Sequence, residues 1–369
     1  MSKTADTPRL IHILSSSFWG GREEYALDIC RGFSEMGWRV SVYTRDAGAI
    51  DTPFRLHGIR VRHLPLRGYA DLATALSLAH RLRHSDALTV VHTHKYRDAF
   101  LALLARKLAR RKDVRVILSY HRVKPGRDTR LARRICRNLH ALVFVSRLSR
   151  DTFMSTWSAS APPIKPEHTF VLPSSIYMPD YTPAPPPRTG PRIAMYYGRL
   201  VPGKGVDTFI EAISELRGGR ARARIAGQGD PDYIDLMKRL ADRLGVMDLI
   251  DWRNGREDPH ALMENCHFGV VPSTVPEAFS LPTAMFMAHA RPVICTSNGA
   301  QREYLTEDSE ALFIDPSDAG ALRTAMRRMV DGELDTEAMG RAARCKFEND
   351  LNWNSFAANL AKIYRDETL

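Results

Sequence analysis

The chain is predicted to be an α/β protein built on two doubly wound parallel sheets, and three observations predict it. Short apolar runs alternate with helical stretches along the first half. A proline-dense segment, YTPAPPPRTGP at 181–191, then breaks the pattern. Beyond it the alternation restarts and continues almost to the C-terminus. Strands that alternate with helices pair in parallel through helical crossovers. A length of 369 residues is enough for two such domains.

Each element has its own warrant. RLIHIL (9–14) reads as a buried strand, followed by Gly20-Gly21, a helical stretch from about 23 to 36 closed by Gly37, and the strand WRVSVYT (38–44). IRVRHL, LTVVHTH, VRVILSY and ALVFVS continue the first sheet. So much proline at 181–191 can continue neither a helix nor a central strand, so it reads as a semi-rigid linker. RIAMYYGRL (192–200) opens the second sheet, and RARIAG, LIDWRN, FGVVPS, RPVICT and ALFID extend it. The tail 347–366 has helical apolar spacing. The expected domains are 1–182, joined by the helix at 350–369, then the linker 183–191, then 192–349.

Composition narrows the function. The hydrophobic fraction, 44%, is ordinary for a globular chain. No apolar run reaches the roughly 18 residues of a membrane span, and the N-terminal apolar run is too short for a secretory signal. Five scattered cysteines without metal-ligand spacing read as reduced thiols, so the expected location is the cytoplasm. The net charge of +11 is concentrated between Arg106 and Arg150. Such a patch attracts polyanions, an anionic membrane face included. No zinc-finger, leucine-zipper or RNA-recognition pattern accompanies it, so nucleic acid is not expected as a partner.

Two constellations carry chemistry. In FGVVPSTVPEAFSLPTAMFMAHARPVI (268–294) a strand ends, a polar turn carries Glu277, and a helical pattern runs from about Pro282 to Ala290. A strand's C-terminal edge is where open α/β sheets bind ligands. The free N–H groups near Phe279, Ser280 and Leu281 suit an anion, whereas Glu277 suits a neutral polyol. An anion beside a polyol describes a nucleotide sugar. In YYGRLVPGKGVDTFIEAI (196–213), Arg199 and Lys204 bracket a Pro-Gly turn ahead of a helix. A guanidinium fork and an ammonium placed there can converge on one diphosphate.

These residues resemble the donor-site signature of family-4 retaining glycosyltransferases, which have the GT-B fold: two Rossmann-like domains facing a cleft. Their usual pattern is a Glu, a Gly-Phe-Gly-Leu-Pro run, and a second Glu eight positions after the first. The chain keeps Glu277, Phe279, Leu281 and Pro282, has Ala278 and Ser280 at the glycine positions, and has Met285 at the second Glu. The resemblance implies that Glu277 contacts the transferred sugar and that Arg199 and Lys204 hold the donor pyrophosphate. Met285 cannot hold the ribose as that Glu would, because a thioether is at best a weak acceptor. The resemblance also implies that Gly20 and Gly21 face the diphosphate or acceptor, and that Gly227 and the Asn254-Gly255-Arg256 loop line the nucleotide side. It places His121, which follows the strand VRVILSY, on the donor sugar or acceptor. His94 and Arg122 are acceptor-side candidates, and His92 reads as turned into the first domain.

The Asp230-Pro231-Asp232 run mimics a metal-binding Asp-x-Asp, but reads better as a helix cap and first turn. No metal and no cofactor is therefore expected, only a UDP- or GDP-linked nucleotide sugar as co-substrate. The implied activity is transfer of that sugar to a hydroxyl of a glycan or lipid-linked acceptor. An anionic acceptor, such as a lipopolysaccharide core, suits the basic first domain, with peripheral contact at the inner membrane face. A decayed nucleotide-sugar-binding protein and a nucleotide-sugar epimerase of the same fold are the alternatives.

Overall fold

A computed structural model describes residues 7–45, 48, 50–83, 87–157, 160–216, 218–255 and 257–367. The chain divides into two compact units, Met1–Tyr177 with Trp353–Leu369, and Met178–Asn352.

In the first unit seven strands alternate with helices: β1 (Arg9–Leu14), β2 (Arg39–Thr44), β3 (Arg60–His63), β4 (Thr89–Thr93), β5 (Arg115–Tyr120), β6 (Ala141–Phe144) and β7 (Thr169–Val171). The intervening helices are α1 (Gly21–Glu35), α2 (Asp51–Leu56), α3 (Leu72–Leu82), α4 (Tyr96–Ala109), α5 (Arg130–Asn138) and α6 (Arg147–Met154). The strands pair in parallel in the order β3-β2-β1-β4-β5-β6-β7. Ile11, Ile13, Val91, Leu118 and Phe144 form a core with Leu78, Ala102 and Ala105 of α3 and α4. Burial on both faces explains why these strands read as near-continuous apolar runs.

The second unit repeats the plan with β8 (Arg192–Tyr197), β9 (Ala221–Gly227), β10 (Ile250–Asn254), β11 (Phe268–Val271), β12 (Val293–Thr296) and β13 (Ala311–Ile314). Its helices are α7 (Val206–Ala212), α8 (Pro231–Arg243), α9 (Pro259–Glu264), α10 (Leu281–Ala288), α11 (Ala319–Asp331) and α12 (Thr336–Asp350). The order is β10-β9-β8-β11-β12-β13, again all parallel. Tyr196, Ile225, Val270 and Ile294 pack with Phe209 of α7 and Met326 of α11. Two Rossmann-like parallel sheets are the α/β architecture expected of a GT-B chain.

The last helix, α13 (Trp353–Arg365), belongs to the first unit. Gly32 of α1 admits it, because a Cβ there would fall 2.0 Å from the Trp353 ring. The proline-dense segment is fastened within the second unit. Tyr181 donates to Glu264 (2.9 Å), while Arg291 and Arg344 donate to the carbonyls of Ala184 and Tyr181 (3.0 and 2.9 Å).

Strand order reverses between β1 and β4 in one sheet and between β8 and β11 in the other. In open α/β sheets, ligands bind outside the carboxyl ends of the strands at such a switch point. The second unit's switch point lies where the Arg199–Lys204 and Ser273–Ser280 loops emerge.

Candidate functional site

The β8 and β11 loops are locked together before any side chain is considered. Thr274 and Val275 donate their backbone N–H groups to the Gly203 carbonyl (3.1 and 3.3 Å). Gly205 has φ +71°, and a Cβ there would fall 1.9 Å from the Pro272 carbonyl oxygen. Both facts require glycine at the residue that precedes α7. Gly227 is equally constrained, since its Cβ would fall 1.8 Å from the Gly198 carbonyl.

This framework sets Lys204 against Glu277. Lys204 Nζ donates to Glu277 Oε1 at 2.5 Å, and Ser273 Oγ donates to the same oxygen at 2.5 Å. Both ion-pair side chains are mostly buried, 22% and 16% exposed, so water screens the pair only in part. The Glu277 loop is clasped from its other side. Ala300 N–H donates to the Glu277 carbonyl (2.9 Å), and Tyr304 Oη donates to the Phe279 carbonyl. Tyr196 is fully buried and donates to the Arg199 carbonyl (2.8 Å). Burial, with Glu277 nearby, holds the Tyr196 hydroxyl well above its ordinary range, so it remains a donor.

Ser280 caps α10 in a left-handed conformation, φ +71° and ψ 83°. Its Oγ lies 2.8 Å from Thr283 Oγ1 and accepts from Thr283 N–H at 3.4 Å. Phe279 is buried, Ala278 and Leu281 are half-buried, and the N–H groups opening α10 adjoin the Glu277 loop. Met285 is buried within α10, 3% exposed. Gly227 and Asn254 are register partners at the C-terminal ends of β9 and β10. Arg256 lies outside the described residues.

The expected convergence of Arg199 and Lys204 takes a different form. The Arg199 side chain is exposed and carries no hydrogen bond or ion pair among the described residues, whereas Lys204 is engaged by Glu277. A strong carboxylate partner within reach captures the ammonium. Asp230 caps α8, accepting from Asp232 N–H at 3.0 Å. Among the described residues no cluster of three or more metal-ligating side chains occurs.

In the first unit the expected residues gather at the C-terminal ends of β1, β4 and β5. Gly20 has an extended backbone, and its carbonyl accepts from Glu23 and Glu24 (2.9 and 3.0 Å) as α1 begins at Gly21. His92 and His94 are buried and His121 half-buried. Both His94 ring nitrogens are engaged, Nε2 with His12 Nδ1 and Nδ1 with His121 Nε2, each at 3.1 Å. Arg122 is exposed, and its carbonyl accepts from Ser149 Oγ (2.8 Å). Sequence reasoning did not single out His12, and it read Ser273 only as part of the polar turn that carries Glu277. The signal for His12 was its place in a strand pairing with another histidine-bearing strand, since His12 and His92 are register partners.

Residues 19–173 match Glycosyltransferase Family 4, and residues 179–346 match Glycosyl transferases group 1. The chain is a GT-B protein of glycosyltransferase family 4. This family-4 chain is 26% identical over 238 residues to the MMP α-(1→4)-mannosyltransferase of Mycolicibacterium hassiacum, covering 63% of itself and 56% of that relative. It is 27% identical over 289 residues to a GDP-mannose-dependent α-(1-6)-phosphatidylinositol monomannoside mannosyltransferase of Mycolicibacterium smegmatis, covering 72% of itself and 73% of that relative. It thus spans little more than half of the first relative and about three quarters of the second. The crystal structure of Anabaena HepE in complex with UDP-glucose shares its fold, with a TM-score of 0.81, 17% identity, and coverage of 97% of this chain and 99% of that one.

Proposed function

We propose that the protein is a retaining glycosyltransferase that moves a sugar from a UDP- or GDP-linked donor to a hydroxyl of a glycan or lipid-linked acceptor. The observation that carries this reading is the Lys204–Glu277 pair at the switch point of the second sheet, beside the N-terminus of α10. Without donor, the pair satisfies itself. A diphosphate draws the ammonium away, and Glu277 Oε1 then accepts from sugar hydroxyls instead. Lys204, Arg199 and the N–H groups opening α10 stabilise the charge that develops on the departing diphosphate. The chemistry is a front-face substitution in which the acceptor oxygen bonds to C1 as the C1–diphosphate bond breaks, and the acceptor proton passes to the departing diphosphate oxygen.

In this reading Arg199, Lys204 and the N–H groups opening α10 neutralise the diphosphate without a divalent ion. His121 is the proposed contact to the donor sugar, and the Gly20-Gly21 loop the proposed contact to diphosphate or acceptor. One relative is named for GDP-mannose and a phosphatidylinositol monomannoside, and a fold neighbour was solved with UDP-glucose. Together with the basic segment from Arg106 to Arg150, this favours an anionic, lipid-linked acceptor in cell-surface glycan synthesis. A cytoplasmic site of action, at the membrane face, completes the reading. Among the described residues no helix is long and apolar enough to cross a membrane.

Incubating the protein with a panel of UDP- and GDP-sugars and glycolipid acceptors tests this. Transfer in excess EDTA, with the product anomer matching the donor by NMR, is expected. An inverted product, or activity abolished by EDTA and restored by Mg²⁺, would overturn the corresponding part. Donor conversion without any acceptor would favour an epimerase.

A further inference from the structure

Four imidazoles stack inside the first unit. Ring centroids are 4.7 Å apart for His12 and His92, 4.8 Å for His92 and His94, and 5.3 Å for both His12–His94 and His94–His121. Their hydrogen bonds separate them into two systems. His92 bonds sideways, Nδ1 to Tyr364 Oη at 2.5 Å and Nε2 to Ser119 Oγ at 2.7 Å. His12, His94 and His121 instead bond end to end, His12 Nδ1 to His94 Nε2 and His94 Nδ1 to His121 Nε2, each at 3.1 Å.

A neutral imidazole carries one N–H and one bare nitrogen. Each N···N contact needs one donor and one acceptor, so the three rings must share a single polarity. Burial keeps them neutral, with the pKa of both His12 and His121 pushed down to about 3. Only two arrangements therefore exist. In one, all three protons sit on Nδ1 and point from His12 towards His121; in the other, all sit on Nε2 and point back.

The far end decides between them. His12 Nε2 is buried and has no hydrogen-bond partner among the described residues. The Nε2 arrangement would leave a buried N–H without an acceptor, whereas the Nδ1 arrangement leaves a bare acceptor nitrogen. Orphaned buried N–H groups are the rarer of the two kinds of defect.

We infer that His12 and His94 are positioning residues that lock His121 as its Nδ1–H tautomer, so that this nitrogen meets the ligand as a hydrogen-bond donor. His121 is the half-buried ring of the three, and its Nδ1 carries no hydrogen bond among the described residues. The ligand group it suits is a sugar hydroxyl oxygen or another neutral acceptor. A locked donor cannot serve as a general base at that nitrogen. The ligand's identity rests on the transferase reading above; the tautomer lock does not.

The test is made on the full chain without any donor, so the transferase reading can fail while the lock stands, and the reverse. Protein labelled with ¹⁵N-histidine should show His121 Nδ1 protonated and Nε2 bare. It should also show couplings across the two N–H···N bonds, which need no variant. His12→Phe keeps the stack but removes the first donor, and should turn His121 into a tautomer mixture although the two rings share no bond. His92→Phe lies in the same stack but outside the chain of bonds, and should leave the His121 tautomer unchanged. If the transferase reading holds, turnover in His12→Phe should fall in proportion to the His121 population that keeps its Nδ1 proton. An Nε2–H or mixed His121 in the parent, or a pure Nδ1–H form that survives His12→Phe, would overturn the lock.

Discussion

Lys204 Nζ and Glu277 Oε1, 73 residues apart in sequence, lie 2.5 Å apart across the switch point of the second sheet. The pair couples the two halves of the proposed donor site. A diphosphate competes with Glu277 for the ammonium, while Glu277 stays fixed by Ser273. Lys204→Ala should therefore weaken UDP or GDP binding by about 1.5–3 kcal/mol, the worth of one charge-assisted contact. Arg199→Ala, at an exposed position, should cost less. Glu277→Gln should leave nucleoside diphosphate binding intact or tighter, because it releases Lys204, while abolishing sugar transfer. Calorimetric titration of UDP and GDP into the three variants decides the matter. Unchanged affinity in Lys204→Ala would place the diphosphate elsewhere.

Ser280 sets a second test. A side chain at φ +71° stores backbone strain of about 1 kcal/mol, which Ser280 partly offsets by capping α10. Glycine tolerates that φ and costs only a few tenths of a kcal/mol as an N-cap. Ser280→Gly should then raise the stability of the second unit by roughly 0.5 kcal/mol. Ser280→Ala keeps the strain, loses the cap, and should cost about 1 kcal/mol. Urea unfolding of both variants compares them directly. An alanine variant as stable as the glycine variant would show that strain does not govern this turn.

Both sheets were legible in the sequence because strands buried on two faces leave near-continuous apolar runs, as in RLIHIL and FGVVPS. The Pro202-Gly203 turn was legible too, and Gly203 takes a φ of +87° there. The pairing of Lys204 with Glu277 was not. Each residue reads locally as a ligand group, and only the parallel order β8-β11 brings them together. The histidine stack was hidden for a related reason. His12 looks like an ordinary core position in an apolar strand, and its meaning arises from the register that aligns it with His92.

That stack also dictates a pH dependence. Burial holds the pKa of His12 and His121 down to about 3, and those of His92 and His94 well below the ordinary range. In the unfolded chain the same histidines titrate near 6.5, taking the reference value as roughly 6.5. Between these limits the unfolded state binds more protons, so stability is complete above the unfolded value and falls as the pH drops towards the folded one. Each such histidine contributes up to about 1.4 kcal/mol per pH unit in that window. Urea midpoints at pH 7.5, 6.5 and 5.5 and constant ionic strength should decline steeply below 6.5. His92→Phe should flatten that decline by one histidine's share. A flat profile down to pH 5 would mean that the rings are hydrated and able to charge in place.

Met285 is where the chain departs from the signature it otherwise resembles, and its burial sharpens the test. At 3% exposure the side chain lies in the core of the second unit, and its carbonyl accepts from His289 Nδ1 at 2.9 Å. A carboxylate introduced there would exchange water for apolar surroundings, a cost of several kcal/mol unless a partner compensates. Met285→Glu should lower stability by roughly 2–5 kcal/mol, with nucleotide binding no tighter than in the parent. Met285→Leu, close in volume and apolar, should cost less than about 1.5 kcal/mol and leave binding unchanged. Met285→Gln, which offers an acceptor without charge, should fall between them in stability. Titrating UDP and GDP into folded samples of all three separates packing from recognition. Tighter binding in Met285→Glu with stability preserved would mean that the side chain rotates out of the core, towards a ribose.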